Sequence, residues 1–140
     1  MAAEVAPMLD SHQAELSVFK DIAADCDWDF YAKGATAGLL QIFTARDETK
    51  ALVGYAVFVV RKHPHYKTHT WANNDVLWVH PAHRRNGTGG GFVDFFLADF
   101  KAQGVTAIHM RTKITHPALK LLLESRGFFA DEVGLSKRLN

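Results

Sequence analysis

Cysteine is almost absent from this sequence: Cys26 is the only one, so no intrachain disulfide can form. Because cytoplasmic proteins rarely carry disulfides, we expect a cytoplasmic location. We interpret Cys26 as a small apolar residue rather than as a nucleophile. No apolar run approaches the roughly 18 residues of a membrane-spanning helix, so we expect no membrane partner. Residues 1–13 lack a basic segment followed by an apolar run, so we expect no signal peptide.

Excess charge of one sign is also missing. The formal net charge is +1, and charged residues make up 22% of the chain. No global field attracts DNA or RNA, so the composition argues against a nucleic-acid partner. The 140 residues contain no repeat and no linker rich in proline or serine. We therefore expect residues 1–140 to fold as a single domain.

The N-terminal part predicts helical structure. Apolar residues recur at helical spacing over residues 9–23, where Asp10 can cap the helix and Gln13 can complete a capping box. Residues 25–38 mix acids, aromatics and glycine, and we interpret them as irregular or weakly helical.

The middle of the chain predicts strands. β-Branched and aromatic residues dominate residues 39–46 and 51–61, which indicates two strands joined by a tight turn. We interpret the polar residues 63–69 as a loop, and residues 75–80 as a third strand that Pro81 ends.

The remainder alternates helices and strands. Residues 92–103 predict a largely buried helix that ends at Gly104, and residues 105–112 predict a fourth strand. Pro117 begins a further helix, and short strands are expected in the tail, most clearly at residues 134–139. A strand–helix–strand unit after three antiparallel strands predicts a mixed α/β (α+β) fold, in which helices flank a mixed central sheet.

A glycine-rich loop follows the third strand, where residues 80–92 are HPAHRRNGTGGGF. The dinucleotide-binding pattern Gly-x-Gly-x-x-Gly fails because Phe92 stands at the third glycine, and a Walker Gly-Lys-Ser/Thr is missing. The loop instead contains Arg84-x-x-Gly87-x-Gly89. Glycines have no side chain, so their main-chain N–H groups can approach an anion closely. The positive end of the next helix dipole also attracts an anion to this place. This pattern favours a diphosphate ligand.

The loop resembles the signature of the GNAT acetyltransferase superfamily, which is Arg/Gln-x-x-Gly-x-Gly/Ala directly after a strand. The resemblance continues through residues 116–128, HPALKLLLESRGF, where that family often has Asn, a helix with Leu-Tyr-Glu, and Gly-Phe. It covers residues 51–139 and looks closest to short members found in tailed bacteriophages.

From this resemblance we expect an N-acetyltransferase that moves the acetyl group of acetyl-CoA directly to a primary amine on a small molecule or a protein. The resemblance implies that the pantetheine arm pairs with the third strand and that the diphosphate lies on the loop. It also implies an oxyanion donor near Val79, and it is compatible with a homodimer. The implied coenzyme-binding residues are Leu77, Trp78, Val79, Arg84, Arg85, Asn86, Gly87, Thr88, Gly89 and Gly90.

Asp75 stands where many members of the family place the base that deprotonates the amine. It precedes Val79 by four residues, about 13 Å along an extended strand, so the resemblance implies a base that acts through a water molecule. The alternative is a strand-start acid that caps a turn with Asn73 and Asn74.

Two positions depart from the family. Leu123 replaces the tyrosine that often protonates the leaving thiolate, a tolerable loss because a thiol has a pKa near 8.5. His116 replaces the asparagine before the helix: it contacts coenzyme A, transfers a proton, or is an exposed loop histidine. The missing tyrosine keeps an alternative open, a catalytically weak or inactive GNAT-fold protein that acts by binding a protein partner.

Two further groups carry weaker signals. His63, His65 and His69 could suggest zinc, but no cysteine or clear acidic ligand accompanies them, so we expect no metal. Residues 21–31 place four aspartates around three aromatic residues, in the region that helps to form the acceptor cleft of the superfamily. This segment is either a wall that attracts a cationic amine or a solvated loop.

Overall fold

The computed structural model describes residues 2–140. The helices are α1 (Ala2–Val5), α2 (Leu9–Leu16), α3 (Trp28–Thr36), α4 (Thr88–Ala102) and α5 (Pro117–Glu124), with 3-10 turns at Ala6–Met8 and Pro81–His83. The strands are β1 (Leu40–Arg46), β2 (Leu52–His63), β3 (Tyr66–Val79) and β4 (Ala107–His109). Over the described range, none of the helices has the length and hydropathy needed to span a bilayer.

The strands form one sheet in the order β1-β2-β3-β4. β2 is antiparallel to both β1 and β3, whereas β4 joins β3 in parallel after the crossover through α4. The structure therefore confirms the predicted mixed α/β fold, with helices flanking a mixed sheet.

Two apolar clusters hold the helices to opposite faces of the sheet. The adjacent residues Trp78 and Val79 belong to different clusters, as the alternation of side chains along a strand requires. The smaller cluster packs α1, α2 and α3 around Tyr55 and Trp78. The larger cluster packs α4 and α5 on the sheet through buried residues that are each 9% exposed or less, among them Phe43, Phe58, Phe96, Phe100 and Leu123.

The prediction of a loop at residues 63–69 is wrong, because β2 runs to His63 and β3 begins at Tyr66. The predicted third strand at residues 75–80 is only the end of β3. The rings of His63 and Trp71 lie 4.1 Å apart, and the Tyr66 and Trp71 rings stack at 5.9 Å. Aromatic contacts and main-chain pairing stabilise this hairpin although its other side chains are polar.

The predicted helix at residues 9–23 starts and ends differently in the structure. α1 and a 3-10 turn precede α2, so Asp10 lies within helical chain and is not a cap. α2 ends because Ser17 is extended, with a ψ of 136°, and Lys20 Nζ donates to the Ala14 carbonyl at 2.5 Å. The free carbonyls of the last turn are thus partly satisfied by a lysine.

Residues 25–38 contain a full helix, α3. Asp27 is its N-cap, and the carboxylate accepts a hydrogen bond from the Phe30 N–H at 2.8 Å. Gln13, which was expected to complete a capping box in α2, donates to the Ile22 carbonyl instead. The cap at Asp27 satisfies one of the unpaired donors that every helix start leaves, and so favours helix in a glycine-containing segment.

The strands predicted in the tail do not form. β4 has three residues, against the predicted 105–112, and no strand follows it in the described chain. Leu135 and Leu139 are 94% and 86% exposed, without a neighbouring strand to pair with. The tail is tied down by a side chain instead, since Arg138 forms an ion pair with Asp21 at 2.5 Å.

Candidate active site

The glycine-rich loop joins the end of β3 to α4. Gly87 has a φ of 87°, in the left-handed region, and directly precedes the first residue of α4, Thr88. The Asn86 side-chain oxygen accepts hydrogen bonds from the Thr88 N–H at 3.2 Å and from its hydroxyl at 2.6 Å. Asn86 therefore fixes the entry into the helix.

The first turn of α4 has main-chain donors without intrahelical partners. The Gly91 N–H donates to the Gly87 carbonyl at 3.0 Å, and this bond begins the helical series. The N–H groups of Gly89 and Gly90 precede it, at the positive end of the helix dipole. This geometry suits the binding of an anion such as a phosphate.

Gly89 and Gly90 differ in what surrounds them. A Cβ at Gly89 would meet only Leu122 Cδ2, at 3.9 Å, whereas a Cβ at Gly90 would lie 2.8 Å from Arg126 Nη2. Arg126 is in turn held by Asp94, with distances of 2.8 and 3.0 Å. Gly90 thus lets α5 approach α4, while the backbone at Gly89 is open to a ligand.

The last residues of β3 have an unpaired edge. β4 pairs with β3 through three residues only. On the opposite side, the His80 N–H donates to the Val53 carbonyl at 2.7 Å. Because hydrogen-bonded pairs alternate in an antiparallel ladder, the main-chain groups of Trp78 face β2 and those of Leu77 and Val79 face away from it. The main-chain groups of Leu77 and the Val79 N–H can therefore pair with an extended ligand, whereas the Val79 carbonyl accepts a hydrogen bond from Arg84.

A bulge opens the gap beside this edge. Consecutive residues of β2 pair with Asn74 and Val76, so Asp75 is an extra residue in β3. Asn74 is 7% exposed, and its Oδ1 accepts a hydrogen bond from the Arg111 N–H at 2.5 Å. This side-chain bond continues the contact just beyond β4, and within residues 2–140 no strand pairing with β3 follows it.

Asp75 lies on the side of the sheet that carries α3. The Tyr31 hydroxyl donates to Asp75 Oδ2 at 2.8 Å. Burial of the hydroxyl and its bond to the carboxylate raise the pKa of Tyr31, so the phenol remains a donor. Asp75 is exposed to solvent, and its carboxylate can accept further hydrogen bonds from water or from an ammonium group.

Arg84 is held by Glu15, a residue that the sequence did not reveal. Two guanidinium nitrogens donate to the carboxylate at 2.6 and 2.7 Å, and Nε donates to the Val79 carbonyl at 2.7 Å. Trp78 Nε1 donates to the same carboxylate at 3.2 Å, and His116 Nε2 lies 3.6 Å from it. The hydrogen bonds from Arg84 lower the pKa of Glu15. Glu15 thus brings together three of the predicted site residues.

The two positions that depart from the family lie at the start and in the core of α5. His116 is the N-cap residue, and its Nδ1 forms a hydrogen bond with the Thr115 hydroxyl at 2.9 Å. Leu123 is 3% exposed and packs in the larger cluster. Leu123 therefore fills core space at the family's tyrosine position and has no proton to donate.

The acidic segment before and within α3 splits into two parts. Asp27 is used as the helix cap, and Asp29 pairs with Lys33 at 3.5 Å on a surface where both side chains are at least 80% exposed. Trp28 and Tyr31 instead line a cavity between α3 and the sheet. Trp28 and Tyr31 therefore face the cavity, whereas Phe30 is 53% exposed.

His12 and Tyr55 line the same cavity, and the sequence pattern predicted neither of them as a site residue. His12 Nδ1 and the Tyr55 hydroxyl are hydrogen-bonded at 2.5 Å, and the His12 ring stacks on Trp78 at 6.0 Å. Burial lowers the pKa of His12, which favours a neutral imidazole. The one sequence signal was the position of His12 on the apolar stripe of the predicted N-terminal helix.

The histidines of the β2–β3 hairpin are engaged with neighbouring side chains. The His63 and His65 rings lie 5.4 Å apart, and His69 Nδ1 forms a hydrogen bond with the Thr68 hydroxyl at 3.0 Å. Among the described residues, no group of three His, Cys, Asp or Glu side chains is arranged to hold a metal ion.

The candidate site thus combines a bulged strand that has an open edge with a glycine-rich turn into a helix. The chain matches the model of the Acetyltransferase (GNAT) family over residues 7–128, and it belongs to that family. The sequence matches no curated protein.

Solved structures of acetyltransferases share this fold. The ribosomal-protein-alanine N-acetyltransferase of Brucella melitensis is 21% identical, with a TM-score of 0.73 over 99% of this chain and 92% of that one. The glucosamine-6-phosphate N-acetyltransferase of Arabidopsis thaliana is 15% identical, with a TM-score of 0.73 over 100% and 95%. An aminoglycoside acetyltransferase from an uncultured soil metagenomic sample is 15% identical, with a TM-score of 0.75 over 99% and 86%. At these identities the likeness concerns the fold alone.

Proposed function

We propose that the protein is an N-acetyltransferase that moves the acetyl group of acetyl-CoA to a primary amine by direct transfer. The observation that carries this proposal is the position of two binding elements at the same end of β3. One is the edge at Leu77 and Val79, beside which the described part of the chain has no strand, and the other is the first turn of α4 at Gly89 and Gly90. An extended arm and a diphosphate in one molecule, as in coenzyme A, match these two elements.

We infer that the residues of the loop can hold such a coenzyme. The amide groups of the loop 84–90 supply anion donors, and Arg85 is an exposed cation beside them. Arg84 is the exception, since its guanidinium already binds Glu15 and the Val79 carbonyl. We infer that Arg84 supports the loop and the strand end from behind, and contacts the diphosphate only if it releases Glu15.

The proposed chemistry uses the bulge and the open edge together. Acetyl-CoA supplies an activated acyl carbon, and we propose that the Val79 N–H, which faces away from β2, is the oxyanion donor for its carbonyl oxygen. The amine must first lose one proton, which Asp75 accepts through water and passes to solvent. The C–N bond then forms as the C–S bond breaks, and the second amine proton is transferred to the departing sulfur. We propose Asp75 for the first proton transfer, from the amine, and His116 for the second, to the departing sulfur.

A second function is favoured by one observation. Leu123 is buried where the family often places a proton-donating tyrosine, which supports a weakly active or inactive protein that binds a protein partner. The two proposals differ in turnover and not in coenzyme binding.

The first experiment measures binding and turnover separately. We expect acetyl-CoA and CoA, but not NAD, to raise the melting temperature, because ligands that bind the native state stabilise it. A thiol-release screen over primary amines then tests turnover. Coenzyme binding without thiol release would favour the second function, and absence of binding would reject both.

Asp75→Asn tests the proposed base. We expect kcat to fall by at least about tenfold while the Kd for acetyl-CoA changes little, because the amide cannot accept the proton. Asp29→Asn removes a carboxylate that pairs with Lys33 at the surface and is the matched control. A normal kcat in the Asp75 variant would remove this residue from the mechanism.

We also propose that the protein acts in the cytoplasm, which its single cysteine supports. The acceptor is proposed to be a small molecule or a protein, and a homodimer is compatible with the family. Sedimentation of the purified chain tests the oligomeric state.

A further inference from the structure

A cavity of about 240 Å³ lies between the N-terminal helices and the sheet. Its floor is formed by Val57 and Val76 of the sheet, and its walls by Val5, Trp28 and Ala35 of the helices. Val57 is 2% exposed, so the floor belongs to the core, whereas Ala35 is exposed and lies at the rim. The cavity is thus open on the side of α3 and apolar at its base.

The size of the cavity limits what it can hold. A water molecule takes roughly 30 Å³ of liquid volume, so the cavity accommodates about eight heavy atoms. Burial of apolar surface contributes about 25 cal/mol per Å², so an alkyl or phenyl group gains from this environment. A hydroxyl-rich or multiply charged group would lose its hydration there without finding enough partners.

The charges at the cavity are complementary to a single ammonium group. None of the lining residues is a lysine or an arginine. The one basic side chain is His12, whose pKa is lowered by burial, and Glu15, Asp75 and Lys113 are the charged groups around it. Tyr31 lines the cavity and donates to Asp75 Oδ2 at 2.8 Å, which places an exposed carboxylate beside the opening.

Asp75 also connects the cavity with the proposed coenzyme edge. It is the extra residue of the β3 bulge, next to Val76 of the cavity floor. Leu77 and Val79, which face the gap, follow on the same strand. An amine nitrogen held near Asp75 would therefore have its carbon substituent in the cavity and the open edge of β3 beside it.

We propose that the acceptor is a primary amine that carries one compact apolar group, of about eight heavy atoms or fewer, which the cavity binds. This inference rests on the proposed acetyltransferase function and narrows its substrate class. Two sources share this chemistry: a free arylalkyl or branched alkylamine, and the first residue of a peptide with an apolar side chain. Polyamines and amino sugars lack a single compact apolar group beside the amine.

The test compares kcat/KM values by thiol release from acetyl-CoA with the full chain. We expect phenethylamine and isoamylamine to exceed spermidine and glucosamine by at least about tenfold, since a hydrophobic pocket discriminates in this range. The tripeptides Leu-Gly-Gly and Asp-Gly-Gly distinguish the sources, because only a peptide acceptor site would use the first of them well. A preference for spermidine or glucosamine would overturn the proposal.

Variants of α3 test whether the cavity is responsible. Ala35→Phe fills the rim and should lower kcat/KM for phenethylamine by at least about tenfold, with the Kd for acetyl-CoA unchanged. Ala37→Phe adds the same ring at an exposed position just after the helix, outside the cavity lining, and should have little effect. Val57→Ala enlarges the floor and should shift the preference toward phenylbutylamine. Equal effects of the two phenylalanine variants would contradict the inference.

Failure of the proposed function has a different signature. If no amine releases thiol, calorimetric titration with phenethylamine alone measures the cavity directly. Saturable binding that Ala35→Phe abolishes and Ala37→Phe retains would support the apolar amine site without turnover. No binding to the unmodified chain would reject it.

Discussion

Gly87 holds the glycine-rich loop in a conformation that other residues rarely adopt. Its φ is 87°, and no atom lies within 4 Å of a Cβ built there, so the cost of a side chain is conformational and not steric. We expect Gly87→Ala to lower the free energy of unfolding by about 1 kcal/mol, and Gly87→Asn to lower it less, because asparagine tolerates the left-handed region. Urea unfolding measures both values, and equal losses would contradict this interpretation.

Glu15 places a negative charge beside the loop that we propose to bind a diphosphate. Glu15→Gln removes this charge and weakens the hold on Arg84, whose guanidinium then becomes available to the coenzyme. We expect the Kd for acetyl-CoA to fall about fivefold, which corresponds to roughly 1 kcal/mol.

The control for Glu15 is Glu124→Gln, which changes the net charge equally. Glu124 pairs with Lys120 at 3.3 Å at the end of α5, and its side chain is 40% exposed. Titration calorimetry compares the two variants. Weaker binding of acetyl-CoA by the Glu15 variant would contradict the prediction, and would show that Arg84 aids coenzyme binding only by holding the Val79 carbonyl.

At the scale of the elements, Asn74 determines where β3 and the chain after β4 separate. Its Oδ1 is the acceptor for the Arg111 N–H, so Asn74→Ala leaves a main-chain donor without its partner. We expect a loss of about 1–3 kcal/mol in the free energy of unfolding. The control is Asn73→Ala, at the end of the β3–β4 pairing. Faster amide hydrogen exchange at Arg111 in the Asn74 variant alone would support this role, and equal exchange in both variants would oppose it.

Element types could be predicted where the local pattern decides them. The strands at β1 and β2, the helix after the glycine loop, and the helix begun by Pro117 follow from composition and spacing. The start of β3 could not be predicted, because it has no apolar pattern. The ring of Trp71 stabilises it by contacts with Tyr66 in the same strand and with His63 in β2. The end of α2 depends likewise on Lys20, which folds back onto the Ala14 carbonyl.

At the scale of the whole molecule, some features of the candidate site can be predicted from the local sequence, and others depend on contacts between distant residues. The loop and its glycines are local, so the sequence predicts them together with the strand before and the helix after. The contacts of Arg84 with Glu15 and of Tyr31 with Asp75 join residues 69 and 44 positions apart. Such contacts follow from packing of helices on the sheet, and no sequence spacing reveals them without that packing.

The same long-range contacts make the stability of the whole chain depend on pH. His12 has a pKa lowered by burial from its ordinary 6.5, and Glu15 has one lowered by Arg84 from its ordinary 4.5. For both groups the unfolded chain binds more protons as the pH falls below the ordinary value. The stability that these two groups contribute is therefore present above about pH 6.5, and it declines first through protonation of His12 and then, below pH 4.5, through protonation of Glu15.

The two acid-side losses can be separated by variants. We expect the melting temperature of His12→Gln to fall less than that of the unmodified chain in the first decline, because glutamine does not titrate whereas His63, whose pKa is also lowered, still does. Glu15→Gln should keep the first decline and show a smaller second one. Melting curves from neutral pH to about pH 4 measure both effects, at constant ionic strength so that screening of the Glu15–Arg84 pair does not change. If His12→Gln followed the unmodified chain through the first decline, the imidazole would already be protonated in the native state, and its burial beside Tyr55 would not control acid stability.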